Sequence, residues 1–306
     1  MRQREQSMKV LVTGGAGFLG SHLADALVER GDQVTALDNL HRGSLANLEG
    51  HIRAEMVTAL TDDIRDYTDL QLAMDGVDVV FHLASQSNVM GAIQDPDYSF
   101  TTNVAGTFNV LKAAAEAGVR RVVFSSSREV YGEPKSIPVP ESAELGPKGL
   151  YGASKMAGEA YCQAWRDSGL ECQVLRFANV YGPRDRDRVI PLWIEQATAG
   201  DPLVIYGGEQ VIDFIDVGRC VSALLAASEC PAQGPINVGS GTGTRLPDLA
   251  RRIIQLTGSS SSIEMLPARG AEVVRFVAEV SLMRKALGID PDAEPLDRLH
   301  GLLPVV

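Results

Sequence analysis

A chain of 306 residues, 45% apolar and 22% charged, can bury a substantial core and is sized for one large domain or two small ones. Its 28 basic and 39 acidic residues leave a formal charge of −11, which argues against a nucleic-acid backbone or an anionic membrane surface as the main partner. The longest apolar runs, such as 77–84 with Asp78 and His82 inside it, are far too short for a bilayer core of roughly 30 Å, so no membrane span is expected.

The opening MRQREQS is polar and lacks an apolar core or a small-residue cleavage site, which reads as a frayed extension before Met8 and as a cytoplasmic protein. Residues 8–13 (MKVLVT) form a short β-branched run ending in a glycine cluster, and 21–30 carry apolar residues at helical spacing. Strand, tight turn and a helix opening near Phe18 are predicted. The rhythm repeats: 33–37, 78–83 and 121–125 read as further strands and 104–117 as one of the helices between them. Alternating strand and helix predicts an α/β fold with a Rossmann-type, doubly wound parallel sheet, its ligand crevice at the strands' carboxyl ends. After Arg176, prolines at 183, 191, 202, 231 and 235 divide shorter elements before a helical stretch at 246–256. We therefore expect a dinucleotide-binding domain over 1–178 and a smaller mixed α/β substrate-binding lobe over 179–306, interleaved with the first. The cysteines at 162, 172, 220 and 230 have neither CxxC spacing nor suitably placed histidines, so they read as reduced structural thiols and no metal site is expected.

After the first strand, Gly14-Gly15-Ala16-Gly17-Phe18-Leu19-Gly20 holds both GxxGxxG and GxGxxG spacings. Glycines there allow a tight turn and bring a pyrophosphate to backbone N–H groups at the positive end of the helix. Asp38 closes the second strand 21 residues beyond Gly17. An acid there either caps the next turn or binds both ribose hydroxyls, repelling the extra phosphate of NADP and favouring NAD; Arg42 nearby keeps NADP open. Tyr151 and Lys155, four apart in YGASKMAGE, share one helical face. A bare YxxxK also occurs on plain surface helices, and the glycine motif upstream favours chemistry. A free tyrosine titrates at about 10, and an adjacent ammonium with a cationic nicotinamide would lower that value. Tyr151 would then take a hydroxyl proton while the cofactor takes hydride from the same carbon.

The ordered series TGGAGFLGSHL, ALDNLHRGS, DDIRD, VFHLAS, NVAGTFNVLKAA, SSSREVYG, YGASK and RFANVYGP resembles the nucleotide-sugar epimerase and dehydratase branch of the extended short-chain dehydrogenases, over about residues 8–290. The resemblance implies an NAD cleft formed by Gly14, Gly17, Phe18, Leu19, Gly20, Asp38, Asn39, Gly43, Leu83, Ala84, Ser85, Ser125 and Ala178. Asp63 and Ile64 would flank the adenine, Asn103 would support the cleft from the next helix, and Lys155 would hold the cofactor ribose. Read without the family, Asp63 is a solvated turn acid and Asn103 a helix cap. Ser127, 24 residues before Tyr151, takes the place of the family's hydrogen-bonding Ser or Thr, with Ser125 and Ser126 as alternatives in register.

Glu129 follows in SREVYG, where simple 4-epimerases commonly carry a small residue and 4,6-dehydratases and uronate decarboxylases often carry Glu. Dehydratases of the family usually place Asp before it, but this chain has Arg128, which would pair with Glu129, with a substrate carboxylate, or only with solvent. Asn179 would contact the nucleotide diphosphate. Arg184, Arg186 and Arg188 follow in a turn-rich loop, either binding diphosphate or solvated. Arg269 and Glu272 resemble a late element that reaches the diphosphate and ribose. Ile212 stands where many members have a pyrophosphate-binding Arg, and Gly218-Arg219 replaces a usual pair of acids. The leading reading is 4-epimerisation of a nucleoside diphosphate sugar, most readily a UDP-sugar, through a transient 4-keto intermediate. The alternatives are dehydration, decarboxylation or C5 epimerisation using Glu129, or a non-catalytic NAD-binding protein. The resemblance also implies a homodimer packed through the Tyr151 helix and the 104–117 helix.

Overall fold

The computed structural model describes residues 7–87, 89–231, 234–268, 270 and 273–303. Its centre is a seven-stranded parallel sheet. In chain order the first six strands are β1 (Lys9–Thr13), β2 (Gln33–Leu37), β3 (Val57–Leu60), β4 (Val79–His82), β5 (Arg121–Ser127) and β6 (Glu171–Phe177). Short strands β7 (Asn179–Tyr181), β8 (Leu203–Tyr206) and β9 (Val211–Asp216) precede β10 (Ile236–Val238), which returns to the central sheet to give the order β10-β6-β5-β4-β1-β2-β3. The order reverses between β1 and β4, the position at which a doubly wound sheet opens a crevice beyond its carboxyl ends.

The strands are almost continuously apolar because helices cover both faces of the sheet. In β1, Val10 and Val12 point into one core with Val34, Val79, Phe81 and Leu175, while Leu11 points into the other with Leu37, Val80, Val122 and Phe124. The first helix, Phe18–Arg30, buries Leu23, Ala24 and Leu27 along one stripe and stops at Gly31, whose left-handed φ of 88° lets its N–H reach the carbonyls of Leu27 and Val28. The 104–117 helix begins eight residues early, at Pro96, and runs through a π-turn over Thr101–Gly106 into Thr107–Glu116.

Two strands of the seven-stranded sheet carry little apolar signal. β3 is a short, half-exposed edge. β6 reads ECQVLRF, and its polar residues are buried with partners: Gln173 donates to the Gly234 carbonyl at 3.1 Å and Arg176 pairs with Glu159 at 2.6 Å.

The second lobe begins after Phe177, but the chain does not stay in it. Its own sheet is centred on β9, flanked by β7, β11 (Gly243–Arg245) and β13 (Arg275–Phe276), and β8 pairs with β12 (Ile263–Leu266). Trp193, Leu203, Phe214, Leu249 and Ile253 form a separate core there. Between these elements, the Val217–Ala227 helix packs against Phe18–Arg30, and β10 extends the first sheet. The lobe therefore sits over the strand ends on several chain crossings, framing a cavity of about 640 Å³.

Candidate active site

The inner wall of this cavity is backbone. Gly14 has a left-handed φ of 71°, and a Cβ on it would stand 2.8 Å from the Ala84 nitrogen; a Cβ at Gly20 would overlap the Gly14 carbonyl. The turn holds together through Gly14 N–H to the Leu37 carbonyl (2.7 Å) and Gly17 N–H to the Gly14 carbonyl (3.1 Å). No side chain caps the N-terminus of the Phe18–Arg30 helix, so its first amides face the cavity with the helix dipole behind them. Asp38 is buried: Ala16 N–H donates to it at 3.0 Å and Leu40 N–H at 2.9 Å. Burial pushes its carboxyl up, against the lowering effect of those amides. Gly43 lies so close that a Cβ would meet the Asp38 carboxylate at 2.7 Å.

Gly14, Gly17, Phe18, Leu19, Gly20, Asp38, Asn39, Gly43, Ile64, Leu83, Ala84, Ser85, Ser125 and Ala178 all line the cavity. Asp63, Asn103 and Lys155 do not. Asp62 reaches the cavity instead, while Asp63 turns to Arg65 (2.7 Å) and Asn39 (2.8 Å). Burial alone would raise the Asp63 carboxyl, but hydrogen bonds from Arg65 and Asn39 outweigh it and hold the group at about 2. Asn103 accepts from the Gln86 N–H at 2.7 Å and donates to Ser154 at 2.9 Å, pinning the loop after β4 to the Tyr151 helix from behind.

A second supporting group went unnoticed in the sequence. The Thr107 hydroxyl donates to the Asn103 carbonyl, so it accepts from His82 Nε2 at 2.9 Å, and His82 Nδ1 accepts from Thr13 at 2.7 Å. Burial, with the nearby Lys155 charge, drives His82 down to about 3, so it is a neutral strut. Only its apolar neighbours mark it in the sequence.

Ser127, Tyr151 and Glu129 line the opposite part of the same cavity. β5 ends at Ser127, whose hydroxyl accepts the Glu129 N–H at 3.2 Å and stands beside the Tyr151 side chain, where it favours the phenolate. Ser126 instead bonds Glu159, away from Tyr151. Lys155 lies one turn along the Leu150–Asp167 helix and donates to the Ser125 carbonyl at 2.8 Å; its Nζ is 5.9 Å from the Tyr151 ring centre. Burial raises the Tyr151 phenol, with Arg188, Ser127 and Arg128 opposing and Glu129 assisting. Lys155, expected to be the principal cation acting on Tyr151, is itself brought by burial to about 7. The cations that favour the Tyr151 phenolate here are two arginines, Arg188 and Arg128.

Asn179 and Arg188 also line the cavity. Arg128 donates through Nε to Asn179 Oδ1 at 2.6 Å and pairs through Nη2 with Glu129 at 2.9 Å. The 182–188 loop packs against the first helix and the loop after β2: Arg184 pairs with Asp25 (2.9 Å), Arg42 with Asp187 (3.4 Å), and the His22 ring meets the Pro183 carbonyl at 2.8 Å. Arg188 lies 5.6 Å from the Phe18 ring and 3.5 Å from Asp185, which burial raises to about 6. Two of the three loop arginines thus already have carboxylate partners. Ile212 lines the outer cavity with Val204, Tyr206 and Leu246. Arg219 pairs with Asp292 at 2.6 Å, outside the cavity, and Arg269 and Glu272 lie outside the described residues. Among the described residues, no cluster of His, Cys, Asp or Glu is placed to hold a metal ion.

Residues 10–239 match the model of the NAD dependent epimerase/dehydratase family. The chain belongs to that family. UDP-glucose 4-epimerase of Mycolicibacterium smegmatis is 36% identical to this family member over 295 residues, 93% of this chain and 94% of that one. UDP-N-acetyl-alpha-D-glucosaminuronate decarboxylase of Bacillus cytotoxicus is 36% identical over 278 residues, covering 85% and 83%. The structure of UDP-glucose 4-epimerase from Thermotoga maritima with UDP-glucose superposes with a TM-score of 0.90 at 32% identity, covering 96% of each chain. The residues present fit the family's dinucleotide: a glycine cradle with no room for Cβ atoms, an uncapped helix N-terminus and a buried acid that accepts hydrogen bonds.

Proposed function

We propose that this enzyme inverts C4 of a nucleoside diphosphate sugar, with NAD as its cofactor, and that UDP-sugars are its substrate class. The observation that carries the reading is the meeting of Ser127 and Tyr151 on the cavity wall while the neighbouring carboxylate, Glu129, is engaged by Arg128. Held by the 14–20 turn, Asp38 and Lys155, the dinucleotide supplies a reversible hydride acceptor that is positively charged when oxidised. Tyr151 removes the C4 hydroxyl proton and later returns it, and Ser127 holds the oxygen through both steps. Arg188 and Arg128 favour the charged phenolate that burial alone disfavours. Asn179 and Arg188 contact the diphosphate, and Asp38 selects the unphosphorylated ribose of NAD.

A second reading, elimination or decarboxylation through Glu129, draws on the decarboxylase relative and on Glu129 lining the cavity. Incubation with UDP-glucose, UDP-N-acetylglucosamine and UDP-glucuronate, followed by mass spectrometry and proton NMR, separates the two. Unchanged mass with new anomeric signals is expected; loss of water or carbon dioxide would move the assignment to the second reading.

The enzyme works as a homodimer through the face carrying Phe100 (59% exposed), Phe108 (37%) and Tyr161 (37%), where Phe108 and Tyr161 rings from adjoining helices stand 5.4 Å apart. Sedimentation should give twice the chain mass. The enzyme resides in the cytoplasm, a placement supported by four unpaired cysteines, and no helix among the described residues is long and apolar enough to cross a membrane.

A further inference from the structure

Arg128 does more than balance a charge. Its guanidinium is buried in the cavity wall directly after Ser127, with Nε on Asn179 at 2.6 Å, Nη2 on Glu129 at 2.9 Å and the Phe276 ring 5.8 Å away. Nη1 is buried without a hydrogen-bond partner among the described residues. Arginine has no acceptor, so the Asn179 amide must present its oxygen to Arg128 and direct its nitrogen elsewhere. Glu129 is the only carboxylate that the guanidinium touches among the described residues, so protonating Glu129 would leave a buried cation without its counter-charge.

We propose that Arg128 is a positioning residue that decides the fate of the C4 ketone, keeping Glu129 paired and therefore out of proton transfer at C5, and orienting the Asn179 amide nitrogen for the diphosphate. The proposal rests on the C4 oxidation described above. A ketone at C4 acidifies the C5–H bond. A carboxylate released from its cation accepts that proton, the electron pair moves into the C4 oxygen as an enolate, and reprotonation at C5 restores the ketone. In D2O the returning proton is a deuteron, so C5 exchange reports Glu129 acting as a base without requiring any change of product. A role confined to structural support would lower turnover or stability without moving this signal.

The test follows C4 inversion and C5 deuteration together by proton NMR in D2O, with UDP-glucose and UDP-N-acetylglucosamine, for wild type, R128M, R128K and the double variant R128M/E129Q. Wild type should invert C4 with C5 protium retained. R128M should show at least a tenfold rise in C5 deuteration per C4 inversion, together with a raised KM, and R128M/E129Q should return deuteration to the wild-type level. Inversion by R128M without added C5 exchange, or exchange that persists in the double variant, overturns the proposal. If R128M does not fold, R128K carries the test: its single ammonium replaces a fork that serves two partners, so C5 exchange above wild type is expected, and none overturns the proposal. Wild type that inverts neither sugar overturns the functional reading, and the proposal with it, an outcome distinct in the same spectra from inversion without exchange.

Discussion

Around the glycine turn of the cavity backbone packs against backbone, whereas the wall around Arg128 and the 182–188 loop is assembled from charged side chains that hold one another. At Gly15, a Cβ would come within 2.6 Å of the Ala36 Cβ, and the Gly17 and Gly14 amides are tied into a fixed turn. Across the cavity, the Arg128 side chain holds those of Glu129 and Asn179, and in the 182–188 loop Arg184 and Asp187 adopt positive φ angles of 66° and 58°. The first construction tolerates almost no change of shape and serves one ligand. The second can be rewired by single substitutions, which suits a family whose relatives include both an epimerase and a decarboxylase.

The contrast breaks most visibly at Tyr151, which belongs to neither construction. Tyr151→Phe should lower kcat about 1,000-fold while NAD content of the purified enzyme stays at the wild-type level, as read by turnover and cofactor absorbance. Gly20→Ala attacks the backbone half. Its methyl group collides with the Gly14 carbonyl, so we expect a loss of about 3 kcal/mol in denaturant unfolding and protein purified without NAD.

Lys155 sharpens the comparison through pH. Its folded value of about 7 lies below the ordinary 10.5, so between those values the unfolded chain binds the extra proton and stability rises with pH. Below pH 7 both states carry the charge and the full cost of burying it remains. The stability of Lys155→Met relative to wild type, both cofactor-free, should therefore be greatest below pH 7 and fall by about 1.4 kcal/mol per pH unit above it, as read from unfolding midpoints at pH 6.5, 8 and 9.5. The smallest expected effect is at Asp38. Asp38→Asn keeps an oxygen for the Ala16 or Leu40 amide but loses the charge, and should narrow the preference for NAD over NADP by about tenfold, measured by competitive binding.

The same contrast explains what could be read from the sequence. The β1 run, the glycine turn and Asp38 are legible because each depends on local geometry that few residue types satisfy. β3 escaped notice as a short half-exposed edge, and β6 because Gln173 and Arg176 break its apolar run while finding partners far along the chain. Asp63, Asn103 and His82 show the limit at side-chain level. The family resemblance implies that Asp63 and Asn103 lie at the cavity, but the direction each side chain takes depends on Arg65, Gln86 and Ser154. The arginines that favour the Tyr151 phenolate are not legible for the same reason: Arg188 and Arg128 act on it through the tertiary fold, whereas Lys155 is placed by helical periodicity.

The central claim is that hydride leaves C4 and returns to C4. It is tested most directly by supplying UDP-glucose deuterated at C4 and locating the label in the product by deuterium NMR. The account predicts deuterium on C4 of the inverted sugar with no loss to solvent. Deuterium on C6 of a dehydrated product, or label lost from the sugar during turnover, would contradict it.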